Sequence, residues 1–160
     1  MDQKHSLTMD NGMLIPVIIA SILTLMCVYG VITQKLIFTR HGLFWFGVMV
    51  FLANMMSAIQ TGGTGEAEMI MVSTGLLYGL QAVLMFPFVT HPFDKSNKAA
   101  YFAQKRIAIC ITSINGVIPV LYLLGFDLGI PNILPIYHGV IALLGVGMTV
   151  KFFQGSVVVK

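Results

Sequence analysis

Charge is what this sequence has least of. Only 9% of its 160 residues are Asp, Glu, Lys or Arg, where a soluble globular domain carries roughly 25%. With 57% hydrophobic residues and a mean hydropathy of +0.89, the chain has too little polar surface to stay in water as a globular protein. Cysteine is scarce as well. Cys27 and Cys110 form no CxxC and both fall toward the same, inner ends of their apolar segments, which excludes a disulfide scaffold or a thiol oxidase working at an oxidising face. Deep intramembrane charge is missing altogether, since Glu68 and Lys151 sit at segment ends. That excludes a pump with a buried carboxylate relay, and an intramembrane protease or phosphatase needing a base or metal ligands at depth. A pI near 9.0 would fit nucleic acid, but the net charge is only +3 and the cations flank apolar runs. The composition therefore points to a membrane surface and to no nucleic-acid partner.

What the sequence does have is long apolar runs. A spanning helix needs about 20 apolar residues to cross a hydrocarbon core of roughly 30 Å. Five stretches qualify, at approximately 13–33, 42–60, 68–90, 107–126 and 133–153. Each is apolar all round, and none alternates with the period of a barrel strand. The first lacks a small-residue cleavage pattern after it and reads as a retained helix. Gly129, Pro131 and Pro135 supply the turn and helix start between the fourth and fifth. The expected fold class is an all-α integral membrane protein, a single transmembrane domain over 1–160.

With five spans the connections alternate sides. One side holds Lys35, Arg40, Lys95, Lys98, Lys105, Arg106, Lys151 and Lys160; the other holds only Lys4. Short Lys/Arg-rich loops stay cytoplasmic, so the N-terminus is expected outside, the C-terminus in the cytoplasm, and the chain in a cell (inner or plasma) membrane. Acids show the opposite bias, with only Asp94 on the cation side. The loop 91–106 gathers four of the nine cations, Lys95, Lys98, Lys105 and Arg106. Ser96 or Asn97 is placed to cap a short helix through "KAAYFAQKR", with Tyr101 and Phe102 at the headgroup level and the cations against anionic lipid.

Inside the membrane the remaining polarity is neutral. Asn54 and Ser57 lie on the second segment, Gln81 on the third, Asn115 on the fourth and His138 on the fifth. Their ordinary role is hydrogen bonding between helices, worth about 0.6 kcal/mol each; the functional alternative is a polar lining beside Pro119, which frees a carbonyl. Gly75 and Gly79 form a GxxxG pair suited to close helix approach. Two ligand sets can be written down. His41 and His91, both at the cytoplasmic boundary, are the one interfacial pair for a haem. Met55, Met56, Met69 and Met71, with Met9, Met13, His5 and His138 on the same side, offer soft donors for Cu(I), although methionine more commonly fills apolar gaps.

Five short-looped helices leave little room for an enclosed pathway and no soluble domain for energy input. The sequence therefore reads as a small polytopic membrane protein without catalytic activity of its own, a subunit of a larger membrane complex or a homo-oligomer, with the bilayer and other membrane subunits (or itself) as partners. The alternative is a small-solute or metal-ion permease, with Cu(I) the sharpest case, and a third reading is a redox anchor for quinone or haem. No cofactor is assigned.

Overall fold

The computed structural model describes residues 11–61, 65–87, 98–125 and 133–154. They form five helices, α1 (Asn11–Ile32), α2 (Leu36–Thr61), α3 (Glu66–Leu84), α4 (Lys98–Leu123) and α5 (Leu134–Phe153), and no strand occurs among the described residues. Four of them, α1, α2, α4 and α5, are long and apolar enough to cross a membrane. The fifth, α3, has a shorter apolar run, Glu68–Leu84.

The outer two helices lie within two residues of their expected bounds at each end. The others differ, for physical reasons. The second begins at Leu36 rather than 42, because Leu36, Ile37 and Phe38 continue an apolar helix and nothing breaks it; Arg40 and His41 thus belong to α2, not to a loop. The turn from α1 shrinks to three residues, with Gln34 at φ 58° in the left-handed conformation that usually closes a helix at glycine. The fourth begins at Lys98 rather than 107. Ala99, Ala100, Ala103 and Gln104 are strong helix formers, so "KAAYFAQKR" is the first part of α4 and not a separate short helix. Ser96 and Asn97, the expected caps, lie outside the described residues. The third ends at Leu84 rather than 90, within its described part.

The helices pack as a ring, α1 on α2, α2 on α3, α4 on α5, closed by α1 on α5, with α3 on α4 the smallest contact. Glycine sets two of these distances. A Cβ on Gly42 would lie 2.8 Å from the Leu23 carbonyl of α1, and one on Gly47 2.8 Å from the Tyr78 carbonyl of α3, closer than real Cβ atoms approach. The GxxxG pair faces α2: Gly75 meets Asn54 and Met55, and Gly79 the Phe51 ring.

The core is small and central, built on Ala20, Leu23, Cys27, Leu43, Phe46, Tyr78, Ile111, Ile114 and Ile141. Around it the surface is apolar. Ile15, Leu25, Ile32, Leu123 and Leu143 are each two-thirds or more exposed, a surface that water would not tolerate but acyl chains match. Burial is uneven along the α2–α3 hairpin. No residue is buried from Val48 to Gln60 or from Met69 to Thr74, so the half nearest the α2–α3 turn is the least covered part of the hairpin.

Candidate functional site

Among the described residues, four buried polar side chains form one chain across the bundle. Tyr78, Gln81, Asn115 and His138 are all nearly inaccessible. Tyr78 and Gln81 lie three residues apart and so share a face of α3, toward α4 and α5. Gln81 Nε2 donates to the Leu43 carbonyl of α2 at 3.0 Å. Asn115 Nδ2 donates to Gln81 Oε1 at 2.6 Å and to its own Ile111 carbonyl at 3.0 Å. His138 Nδ1 lies 2.6 Å from the Tyr78 hydroxyl and 3.4 Å from Asn115 Oδ1. Phe46 closes the assembly, its ring centroid 5.1 Å from that of His138 at a near-perpendicular angle.

The hydrogens can be assigned by satisfaction. Both Asn115 amide hydrogens are committed, to Gln81 and to Ile111. The Tyr78 hydroxyl and His138 Nδ1 share the shorter contact, its donor being set by the imidazole tautomer. Four helices are joined this way through neutral groups alone. The Gln81–Asn115 bond crosses the α3–α4 seam, where apolar contact is thinnest, and Tyr78–His138 spans from α3 to α5. Pro119, four residues past Asn115, has no N–H to return to the Asn115 carbonyl, which loosens the α4 ladder beside the network. A smaller link joins α1 to α5: Ser21 Oγ donates to the Val17 carbonyl at 2.8 Å, which leaves it to accept from the Tyr137 hydroxyl at 2.7 Å.

Of the polar residues singled out in the sequence, Gln81, Asn115 and His138 are brought together. Asn54 is not: its Nδ2 turns back to the Val50 carbonyl of its own helix at 2.9 Å. Tyr78 was missed, because a tyrosine in an apolar run looks like packing; its spacing of three from Gln81 was the available signal. The four methionines lie on the α2–α3 hairpin, Met55 and Met56 on α2 and Met69 and Met71 on α3. Met56 and Met69 are more than half exposed, Met55 packs against Gly75, Met71 is half-buried, and His138 already has its Nδ1 engaged by Tyr78. Among the described residues no three His, Cys, Asp or Glu side chains form a group able to hold a metal. His41 is half-buried near the start of α2, while its expected partner His91 lies outside the described residues. Lys95 does too, as does the side chain of Lys98. Arg106 is exposed on α4, and Lys105 sets its ammonium 3.2 Å from the centroid of the Phe153 ring. Close by, the Tyr101 hydroxyl donates to the Phe152 carbonyl, tying the start of α4 to the end of α5.

Chemically the network holds helices in register. It contains no carboxylate and no ammonium, and its one hydroxyl–imidazole pair is Tyr78 with His138. The chain matches no protein family, no curated protein and no solved structure.

Proposed function

We propose that this chain is an integral membrane protein of five spanning helices, N-terminus outside and C-terminus cytoplasmic in a cell membrane, which has no catalysis of its own and works as a subunit of a larger membrane complex or as a homo-oligomer. The 17-residue apolar run of α3, Glu68–Leu84, reaches about 26 Å at 1.5 Å per residue, slightly under the hydrocarbon thickness, a mismatch that local thinning or association with other helices absorbs. Lys35, Arg40, Lys105, Arg106 and Lys151 gather at one end of the ring, and Glu66 and Glu68 start α3 at the other, which supports the orientation by the positive-inside rule.

The observation that carries the subunit reading is the unburied outer half of the α2–α3 hairpin. There, exposed Gln60 and Ser73 interrupt a surface of Leu52, Met56, Ile59 and Ile70. Lipid tails offer such polar groups nothing, whereas a neighbouring helix does. A transport path through one protomer finds less support, because Phe46, Tyr78, Gln81 and Asn115 fill the ring interior.

The test is cysteine cross-linking in native membranes, followed by mass measurement of the protein extracted with its lipids. Ile70→Cys on the hairpin should cross-link to a partner or a second copy, and Leu143→Cys on α5 should not. A lone monomer without cross-links from either position would remove the reading.

A further inference from the structure

Three sulfur side chains meet at a place the polar network does not use. On the cation-rich side of Gln81, Asn115 and His138 the helices leave a partly open cavity of about 90 Å³, several times the 10–15 Å³ or so that one water requires. Cys27 of α1, Met85 just past α3 and Met148 of α5 all line it. Their depths match. α1 and α5 run toward the same end and touch each other. Cys27 and Met148 each lie five residues before the last residue of their helix, Ile32 and Phe153, roughly 7–8 Å from it at 1.5 Å per residue. Cys27 and Met85 are buried and Met148 is half-buried.

We propose that this cavity binds Cu(I), with the Cys27 thiolate and the Met85 and Met148 thioethers as ligands. Thiolate and thioether are soft donors that suit Cu(I), and no imidazole or carboxylate lines the cavity to favour a harder ion. Methionine has three rotatable bonds and can aim its sulfur without moving its helix. Binding breaks the Cys27 S–H bond and forms an S–Cu bond; the proton leaves to water at the open side, and copper stays Cu(I). The thiolate offsets the metal's charge, so the filled site is neutral and needs no counter-ion. It therefore tolerates Arg40, which borders the cavity and is already engaged by another group. The thiol gives up little, since its contact with the Thr39 carbonyl is long, at 4.0 Å. The Thr39 hydroxyl is buried without a partner, and Thr39 lines the same cavity. A water on that hydroxyl is the rival occupant.

The experiment is an anaerobic titration of the purified full chain in detergent with Cu(I), in competition with the chelator bicinchoninate, followed by copper X-ray absorption on the loaded protein. A single Cu(I) should bind per chain, in a shell of sulfur without nitrogen. Cys27→Ser, Met85→Leu and Met148→Leu should each weaken binding by about tenfold or more, as loss of even an outer-shell partner does. Cys110→Ser should bind like the unmodified protein, because Cys110 does not line the cavity. So should a variant with Met55, Met56, Met69 and Met71 all changed to Leu. Leucine roughly conserves the volume of methionine, so if Cys27→Ser does not fold, the Met85 and Met148 variants decide. Absence of stoichiometric Cu(I) overturns the site and leaves the cavity to water on Thr39. Nitrogen in the copper shell, or an equal loss in Cys110→Ser or the hairpin variant, overturns the ligand set.

Discussion

At the scale of single residues, the buried amides act by satisfying one another. Asn115→Leu leaves Gln81 Oε1 facing apolar atoms, so the cost is that of a stranded partner, about 1–3 kcal/mol, rather than the smaller average for an interhelical bond in a membrane. Gln81→Leu should cost a similar amount. The double variant should cost clearly less than the sum of the two, since neither amide is then left without its partner. Reversible unfolding in mixed detergent micelles measures all three. Strict additivity would mean that the Gln81–Asn115 contact contributes nothing. Tyr78→Phe is the milder change. It removes the hydroxyl partner of His138 and nothing else, and should destabilise by about 1 kcal/mol while leaving the helices in place.

At the scale of helices, the decisive residues are glycines at crossings. Gly47→Val places a branched side chain against the Tyr78 carbonyl and the Ala82 backbone nitrogen, neither of which is a flexible side-chain end. α3 must then move outward, taking Tyr78 and Gln81 from their partners, and the loss should be about 1–3 kcal/mol or more. Gly116→Ala is the contrast, because nothing lies within 4 Å of a Cβ there. It should be neutral or stabilising by up to about 1 kcal/mol through helix propensity. Thermal melts followed by near-ultraviolet circular dichroism should order the variants accordingly; a Gly47→Val melt matching the unmodified protein would show that the α2–α3 crossing is not close. The same scale explains what the sequence made legible. The apolar runs of α1 and α5 are bounded by turn chemistry and were readable almost to the residue. The starts of α2 and α4 were hidden because Arg40, Lys105 and Arg106 look like loop residues, although apolar and alanine-rich neighbours carry the helix straight through them. In the site, Gln81, Asn115 and His138 stood out as polar groups in apolar runs. Which of them would meet depended on ring order and helix stagger, which no single segment encodes. Asn54 has the same chemistry as Asn115 yet bonds back to the Val50 carbonyl of its own helix.

For the whole molecule, the antiparallel ring puts the α1–α2 turn, the start of α4 and the end of α5 at one end, and the α2–α3 turn at the other. Orientation therefore reduces to one question with two accessible reporters. Lys35 is exposed in the first turn and Gly65 is exposed just before α3. In a background with Cys27→Ala and Cys110→Ala, Gly65→Cys should react with an impermeant maleimide on intact cells. Lys35→Cys should react only after permeabilisation, as the cation bias requires. Labelling of both positions from outside would mean that α2 does not cross, and would undo the five-span reading. The reverse pattern would leave the ring and the polar chain unchanged but turn them over.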